Sequence, residues 1–285
     1  MAMRKICVLI ICLGIGLATN GYALKPEKQY VRTPGDFNLK YESVSFTASD
    51  GYKLTGWFFP AASDTSARTM VISEGDAGNM SYLISYAAFF QQSKYNVLLY
   101  DYRGFGKSQP FDMNPDMLTY PEFLHDLNAA VDFAKTRRTA DQRHIVLLGF
   151  SMGASLSVSV AGQRKDIVAV IADGVWSSTG EVVERLNVLF KTQNNERRIV
   201  RPQDYPKKAE PVVAASSLTD TALCLITGSQ DDHTTPQMAY EVFSSCASSK
   251  KTLWLAARAQ HGQVSMTYGK NYLDFILAFI NQVSS

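Results

Sequence analysis

Residues Ile145 to Ser155 read I-V-L-L-G-F-S-M-G-A-S: an apolar, β-branched run, then Gly149-Phe150-Ser151-Met152-Gly153, then small residues suited to a helix. This is the strand, sharp turn and helix setting that makes G-x-S-x-G a nucleophile elbow. A serine hydroxyl is a poor nucleophile at its free pKa. It must be held out on a turn where a base reaches it and backbone N–H groups face the attacked carbonyl. Glycines two before and two after Ser151 allow that turn and a close packing of helix on strand.

The rest of the chain supplies a sheet for the elbow. Tyr41 to Thr47 and Lys53 to Phe59 alternate around Asp50-Gly51, the pattern of a hairpin of half-exposed strands. Short apolar runs follow at Thr69–Ser73, Asn96–Tyr100, His144–Leu148, Ile167–Ala172, Ala222–Thr227 and Thr252–Leu255. Helix-like stretches lie between and after them at Asn79–Gln92, Pro121–Thr136, Gly153–Gly162, Pro236–Cys246 and Tyr272–Val283. Strands buried on both faces and alternating with helices predict an α/β domain with a mostly parallel, eight-stranded sheet and an antiparallel hairpin at one edge. From Trp176 to about Leu218 the rhythm breaks, with an amphipathic piece (Val182–Phe190), a polar basic stretch and a Pro-containing segment. A connection this long in a compact domain is expected to be a small cap over the strand ends, residues 176–218.

With 285 residues, no internal repeat and no long linker, a single domain is the simpler reading. Residues 1–23 read as a secretory signal peptide: Arg4 and Lys5, an apolar run from Ile6 to Leu17 too short for a bilayer, and the small residues of Gly21-Tyr22-Ala23. Cleavage after Ala23 leaves a domain of residues 24–285, periplasmic or secreted, with no stable membrane span; an uncleaved anchor is the alternative. Removing Arg4 and Lys5 leaves 26 basic against 26 acidic residues, a balance that argues against a nucleic-acid or anionic-membrane partner. Two cysteines then remain, Cys224 and Cys246. Both are placed at one edge of the sheet, where they could form a disulfide in an oxidising compartment; two buried free thiols are the alternative.

An elbow serine needs a base, and the chain has four histidines. His125 lies in a helical pattern, His144 starts the strand leading to Ser151, at the opposite sheet edge, and His233 is crowded against two acids. His261, in the loop after the last strand, can return to the elbow and is the expected base. The imidazole needs an orienting carboxylate ahead of it in the order Ser, acid, His. The segment Thr227 to Pro236 carries Asp231 and Asp232: counting from the strand end favours Asp231, counting back from Pro236 favours Asp232. Asp231 is preferred, because the turn leaving a strand is the stiffer one. Two oxyanion donors are expected, the backbone N–H of Met152 and that of Asp76 in the loop Glu74-Gly75-Asp76-Ala77-Gly78-Asn79. An ionised acid beside a developing oxyanion opposes catalysis, so Glu74 and Asp76 must turn away or be neutralised.

The ordered motifs Thr47-x-x-Asp50-Gly51-x-x-Leu54-x-x-Trp57, E-G-D-A-G-N, Asp101-Tyr102-Arg103-Gly104-x-Gly106-x-Ser108, G-F-S-M-G, G-x-x-D and a late His-Gly resemble the alpha/beta-hydrolase superfamily. The likeness runs from about Tyr41 to Ile280 and is nearest the small-cap, esterase- and lipase-like branch, whose members read H-G-N-A-G-N where this chain has Glu74 and Asp76. The resemblance implies a three-layer fold, Ser151, Asp231 and His261 as nucleophile, orienting acid and base, and a structural role for D-Y-R-G-x-G. The expected activity is a serine hydrolase cleaving small acyl esters or thioesters, with short or medium acyl groups suggested by the cap. The alternatives are a peptidase or amidase with the same three residues, or a hydrolase-fold binding protein with impaired turnover. No cofactor or metal is expected: H-E-x-x-H, paired C-x-x-C and a phosphate loop are all missing, and Gly104-Phe105-Gly106 is too short and badly placed for a dinucleotide.

Overall fold

The computed structural model describes residues 23–61, 67–137, 140–193, 198–202 and 204–283. The leader expected over 1–23 lies outside them except for Ala23. Eight strands form one sheet: β1 (Glu42–Thr47), β2 (Lys53–Phe59), β3 (Ala67–Ser73), β4 (Asn96–Tyr100), β5 (Ala140–Phe150), β6 (Ile167–Asp173), β7 (Ala222–Gly228) and β8 (Lys251–Ala256). Their spatial order is β8-β7-β6-β5-β3-β4-β2-β1. Pairings β1–β2 and β2–β4 are antiparallel, and all others are parallel. The hairpin therefore sits at one edge, as the sequence pattern predicts.

The eight principal helical segments are α1 (Ile84–Gln92), α2 (Glu122–Thr136), α3 (Met152–Ala161), α4 (Thr179–Thr192), α5 (Pro211–Ala215), α6 (Pro236–Ser245), α7 (Val264–Tyr268) and α8 (Lys270–Val283). Strand side chains alternate between two cores. Val71, Leu98, Leu147, Val170, Leu223 and Leu225 face α2, α3 and α6. Met70, Ile72, Leu99, Leu148, Ile171 and Ile226 face α1 and α8. Both faces being buried is why the strands read as unbroken apolar runs. Among the described residues no helix is long and apolar enough to cross a membrane.

That alternation overturns the disulfide expectation. Cys224 and Cys246 are both free and buried. Cys224 lies between Leu223 and Leu225, so its side chain enters the core beneath α8. Cys246, at the end of α6, packs into the core on the opposite face. The two share a sheet edge, but the sheet itself separates the sulfurs, beyond the reach of a disulfide.

Within 176–218, α4 follows β6, whereas α5 packs against α3 and α6. Ala247 N–H donates to the Ala215 carbonyl at 3.3 Å, so the second half of the interval belongs to the helical layer rather than to the space above the strands.

One ion-pair network joins three sequence-distant pieces. Arg103, after β4, reaches Asp126 on α2 at 2.7 Å and Asp50 in the hairpin turn at 2.6 Å. Its guanidinium also lies 4.3 Å from the Tyr52 ring centroid. The guanidinium holds the Asp50 carboxyl below the usual range, whereas burial pushes Asp126 up to about 6 against the pull of Arg103. Removing one partner of a buried pair leaves a charge without compensation, at a cost of about 3–5 kcal/mol. Urea unfolding of Arg103→Ala should show a loss of that order; a loss under about 1 kcal/mol would mean the network does not tie the hairpin to α2.

Candidate active site

Ser151 stands at the junction of β5 and α3 with φ 51° and ψ −113°, a backbone region that side chains with a Cβ avoid. The junction is tied through both backbone groups of Ser151. Ser151 N–H donates to the Asp173 carbonyl at 2.8 Å, and Ser155 N–H to the Ser151 carbonyl at 3.1 Å. A Cβ on Gly149 would fall 2.2 Å from the Gly153 carbonyl oxygen, and one on Gly153 would fall 2.4 Å from that of Glu74. The two glycines of the motif are thus required by close backbone approach, and the second presses the first turn of α3 against the loop after β3.

A continuous hydrogen-bonded chain leads from the serine. Ser151 Oγ is 3.0 Å from His261 Nε2, and His261 Nδ1 is 2.8 Å from Asp231 Oδ2. The three residues come from the ends of β5, β7 and β8, which register in parallel brings to one edge. Asp231 is 5% exposed. Its Oδ1 accepts the N–H groups of His233 (3.0 Å) and Thr234 (2.9 Å), and its Oδ2 accepts the Thr234 hydroxyl (3.0 Å). Burial raises the Asp231 pKa, but the charge and hydrogen bond of His261 outweigh it and hold the carboxyl below its ordinary value. Asp232, the other acid left open by the sequence, is half-exposed and bonds His233 Nδ1 at 2.8 Å. Its carbonyl accepts from Arg185 Nε of α4 at 2.7 Å.

Burial disfavours the His261 imidazolium, but the carboxylates of Asp231, Asp76 and Asp173 overcome this and push its pKa up to about 9. The other histidines take different places. His125 meets Ser49 Oγ at 3.0 Å in the hairpin turn, His144 lies within β5, and the His233 ring stacks on that of His261 with centroids 5.0 Å apart.

The loop Glu74–Asn79 lies beside the serine. A Cβ on Gly75 would sit 3.6 Å from Ser151 Cβ, and Met152 opens α3 next to it. The two acids of this loop differ. Glu74 is folded onto its own loop, with Oε1 accepting Gly75 N–H at 2.9 Å, and burial pushes its pKa up to about 8. It is an uncharged acid at neutral pH, and its Oε2 is buried with no hydrogen-bond partner among the described residues. Asp76 is half-buried, and burial raises its pKa against the opposing pull of His261 and His233.

Three residues at the site escape the sequence reading. Thr234 braces the acid, and His233 covers the imidazole. Asp173 closes β6 under His261, where its carboxyl accepts the Tyr272 hydroxyl at 2.8 Å and burial pushes its pKa up to about 7. An acid at the carboxyl end of the strand beside the elbow was the available signal for Asp173. Asp231, Asp232 and His233 bring three metal-type donors together, but Asp231 is engaged with His261 and Asp232 with His233.

Known proteins agree with this architecture. The model of the prolyl oligopeptidase family matches residues 81–285. The uncharacterized protein YfhR of Escherichia coli K12 is 30% identical over 258 residues, covering 84% of this chain and 82% of that protein. An esterase from Pyrococcus furiosus superposes with a TM-score of 0.74 at 22% identity, over 92% of this chain and 99% of that one. An acetyl xylan esterase from Paenibacillus sp. R4 gives 0.69 at 16% identity, over 91% and 96%. The match over most of the chain and the shared sheet make this protein a member of the prolyl oligopeptidase family, a hydrolase of the alpha/beta-hydrolase superfamily.

Proposed function

We propose that this chain is an exported serine hydrolase that cleaves small carboxylic esters or thioesters of short to medium acyl length through an acyl-enzyme. The observation that carries the proposal is the unbroken hydrogen-bonded chain from Ser151 through His261 to Asp231. Export is supported by the apolar leader of the sequence. A small cover over the site is supported by α4, which reaches the acid loop through Arg185 and the Asp232 carbonyl.

Ser151 Oγ attacks the ester carbonyl carbon while its proton passes to His261 Nε2, and the imidazolium formed is paired with Asp231. The carbonyl oxygen becomes an oxyanion facing the Met152 and Asp76 N–H groups. Collapse breaks the bond to the leaving alkoxide or thiolate, which takes the proton from His261 and departs as alcohol or thiol. Water, deprotonated by His261, attacks the acyl-enzyme. A second collapse releases the carboxylic acid and returns the proton to Ser151. The neutral Glu74 fits this scheme, because a carboxylate at that position would repel the oxyanion.

A second reading, peptidase or amidase chemistry with the same residues, is favoured by the description of the family that matches. Its leaving group is an amine, which must be protonated as it departs, so the two readings separate on matched substrates. On a p-nitrophenyl ester series and the corresponding anilides, ester turnover with anilide turnover at least about a thousandfold lower is expected; comparable rates would favour the peptidase. In the same assay Asp231→Asn should lower ester kcat by about 10⁴-fold and Asp232→Asn by less than about fivefold; the reverse pattern would exchange their roles.

The base must be neutral to accept a proton, and its imidazolium is stabilised by surrounding acids. Activity should therefore rise with pH through a kcat/KM limb with a midpoint clearly above the ordinary histidine value of about 6.5. Asp76→Asn removes one negative charge from beside the imidazolium and should move that midpoint down. A wild-type midpoint at or below about 6.5, or an upward move in the variant, would contradict this electrostatic account.

A further inference from the structure

Residues 23–31 cross the molecule as a strap outside the eight-stranded sheet. Lys25 and Pro26 pair in parallel with Ala77 and Gly78 of the loop beside Ser151. Lys25 N–H donates to the Asp76 carbonyl and Glu27 N–H to the Gly78 carbonyl, both at 2.9 Å. Farther along, the Glu27 carbonyl accepts Asn79 Nδ2 at 3.0 Å and Gly106 N–H at 2.9 Å, and Glu27 Oε2 accepts the Tyr82 hydroxyl at 2.7 Å. The Gln29 carbonyl accepts Asn79 Nδ2 at 2.8 Å, and the Tyr30 hydroxyl donates to Asp101 at 2.6 Å. The strap is anchored at its start by Leu24, whose side chain is buried in the core shared with α2 and α3 and whose N–H donates to the Pro115 carbonyl at 3.5 Å.

The loop itself leaves β3 and enters α1 without joining the main sheet, so its path depends on these ties. On the near side of the Asp76 N–H, the Glu74 carbonyl accepts the Tyr102 hydroxyl at 3.2 Å and Gly75 N–H donates to Glu74 Oε1 at 2.9 Å. On the far side, the carbonyls of Asp76 and Gly78 are held by the strap alone among the described residues. We infer that the backbone of Lys25 to Glu27 is a positioning element for the acyl-transfer site, fixing the oxyanion loop so that the Asp76 N–H faces the reacting carbonyl. The inference rests on the Ser151 acyl-transfer reading. The Lys25 side chain is exposed, so the work is done by its N–H. A chain cut after Ala23 would begin at Leu24 and keep the N–H groups of Lys25 and Glu27 that hold the loop.

The test uses the full chain with Lys25→Pro, which deletes the N–H that holds Asp76 and suits an extended segment before Pro26. Ester kcat, KM, rate of labelling by a fluorophosphonate and melting temperature are measured together. The expected result is a fall in kcat of about tenfold or more, KM within about threefold and a melting temperature near that of wild type, because a displaced donor costs transition-state rather than ground-state binding. Lys25→Ala keeps the N–H and should restore kcat. A Lys25→Pro kcat within about twofold of wild type, or loss of kcat only in step with unfolding, overturns the inference. If Lys25→Pro does not accumulate folded, Glu27→Pro decides: it deletes the N–H that holds the Gly78 carbonyl and leaves the Lys25 tie in place. A several-fold fall in its kcat at unchanged melting temperature supports the strap, and an unchanged kcat overturns it. Wild type that neither labels nor hydrolyses overturns the acyl-transfer reading and the inference with it, whereas active wild type with unaffected variants overturns the inference alone.

Discussion

Ser151 occupies a backbone conformation, φ 51° and ψ −113°, that costs on the order of 1–3 kcal/mol for a residue with a side chain. It persists because its neighbours leave no relaxed alternative. The Asp173 carbonyl holds its N–H, two glycines let strand, helix and loop meet backbone to backbone, and β5 sits between β3 and β6 in a sheet buried on both faces. Each consequence at the site follows from that turn. It lifts the hydroxyl toward His261, and it sets the first turn of α3 beside the Glu74–Asn79 loop.

The electrostatics are the second constraint. Asp76, Asp173 and Asp231 surround one imidazole, and Glu74 lies just behind. The site tolerates so many acids because they are not all charged together. Glu74 is held neutral by burial, Asp173 titrates near neutrality against a tyrosine hydroxyl, and only Asp231 is stabilised as a carboxylate by several hydrogen bonds. The two acids of the Glu74–Asn79 loop therefore divide their effects. One is silent at neutral pH, and the other raises the basicity of His261.

Much of this architecture was legible in the sequence because buried parallel strands leave unbroken apolar runs. Asn96–Tyr100 and Lys53–Phe59 were bounded to the residue, and the helices after Ser151 and Pro236 to within one residue. Signals failed where elements are too short for a period to develop. The two-residue strap pairing at Lys25–Pro26 and the five-residue helices α5 and α7 are of this kind. The cysteine pairing failed for a different reason: edge placement was correct, but the parity of Cys224 along β7 sends it to the other face. Ser151, His261 and the acid loop stood out because strand ends were recognisable. Asp173 did not, since an acid closing an apolar run looks like an ordinary solvated strand end until Tyr272 and His261 are seen to cover it.

The central claim is that Ser151 carries the acyl group. Its most direct measurement is the intact mass of the protein quenched during turnover of p-nitrophenyl acetate at low pH, followed by peptide mapping. The account predicts a transient adduct of one acetyl group on Ser151, absent from Ser151→Ala. Release of p-nitrophenol with no adduct on Ser151, or equal turnover in the alanine variant, would contradict it.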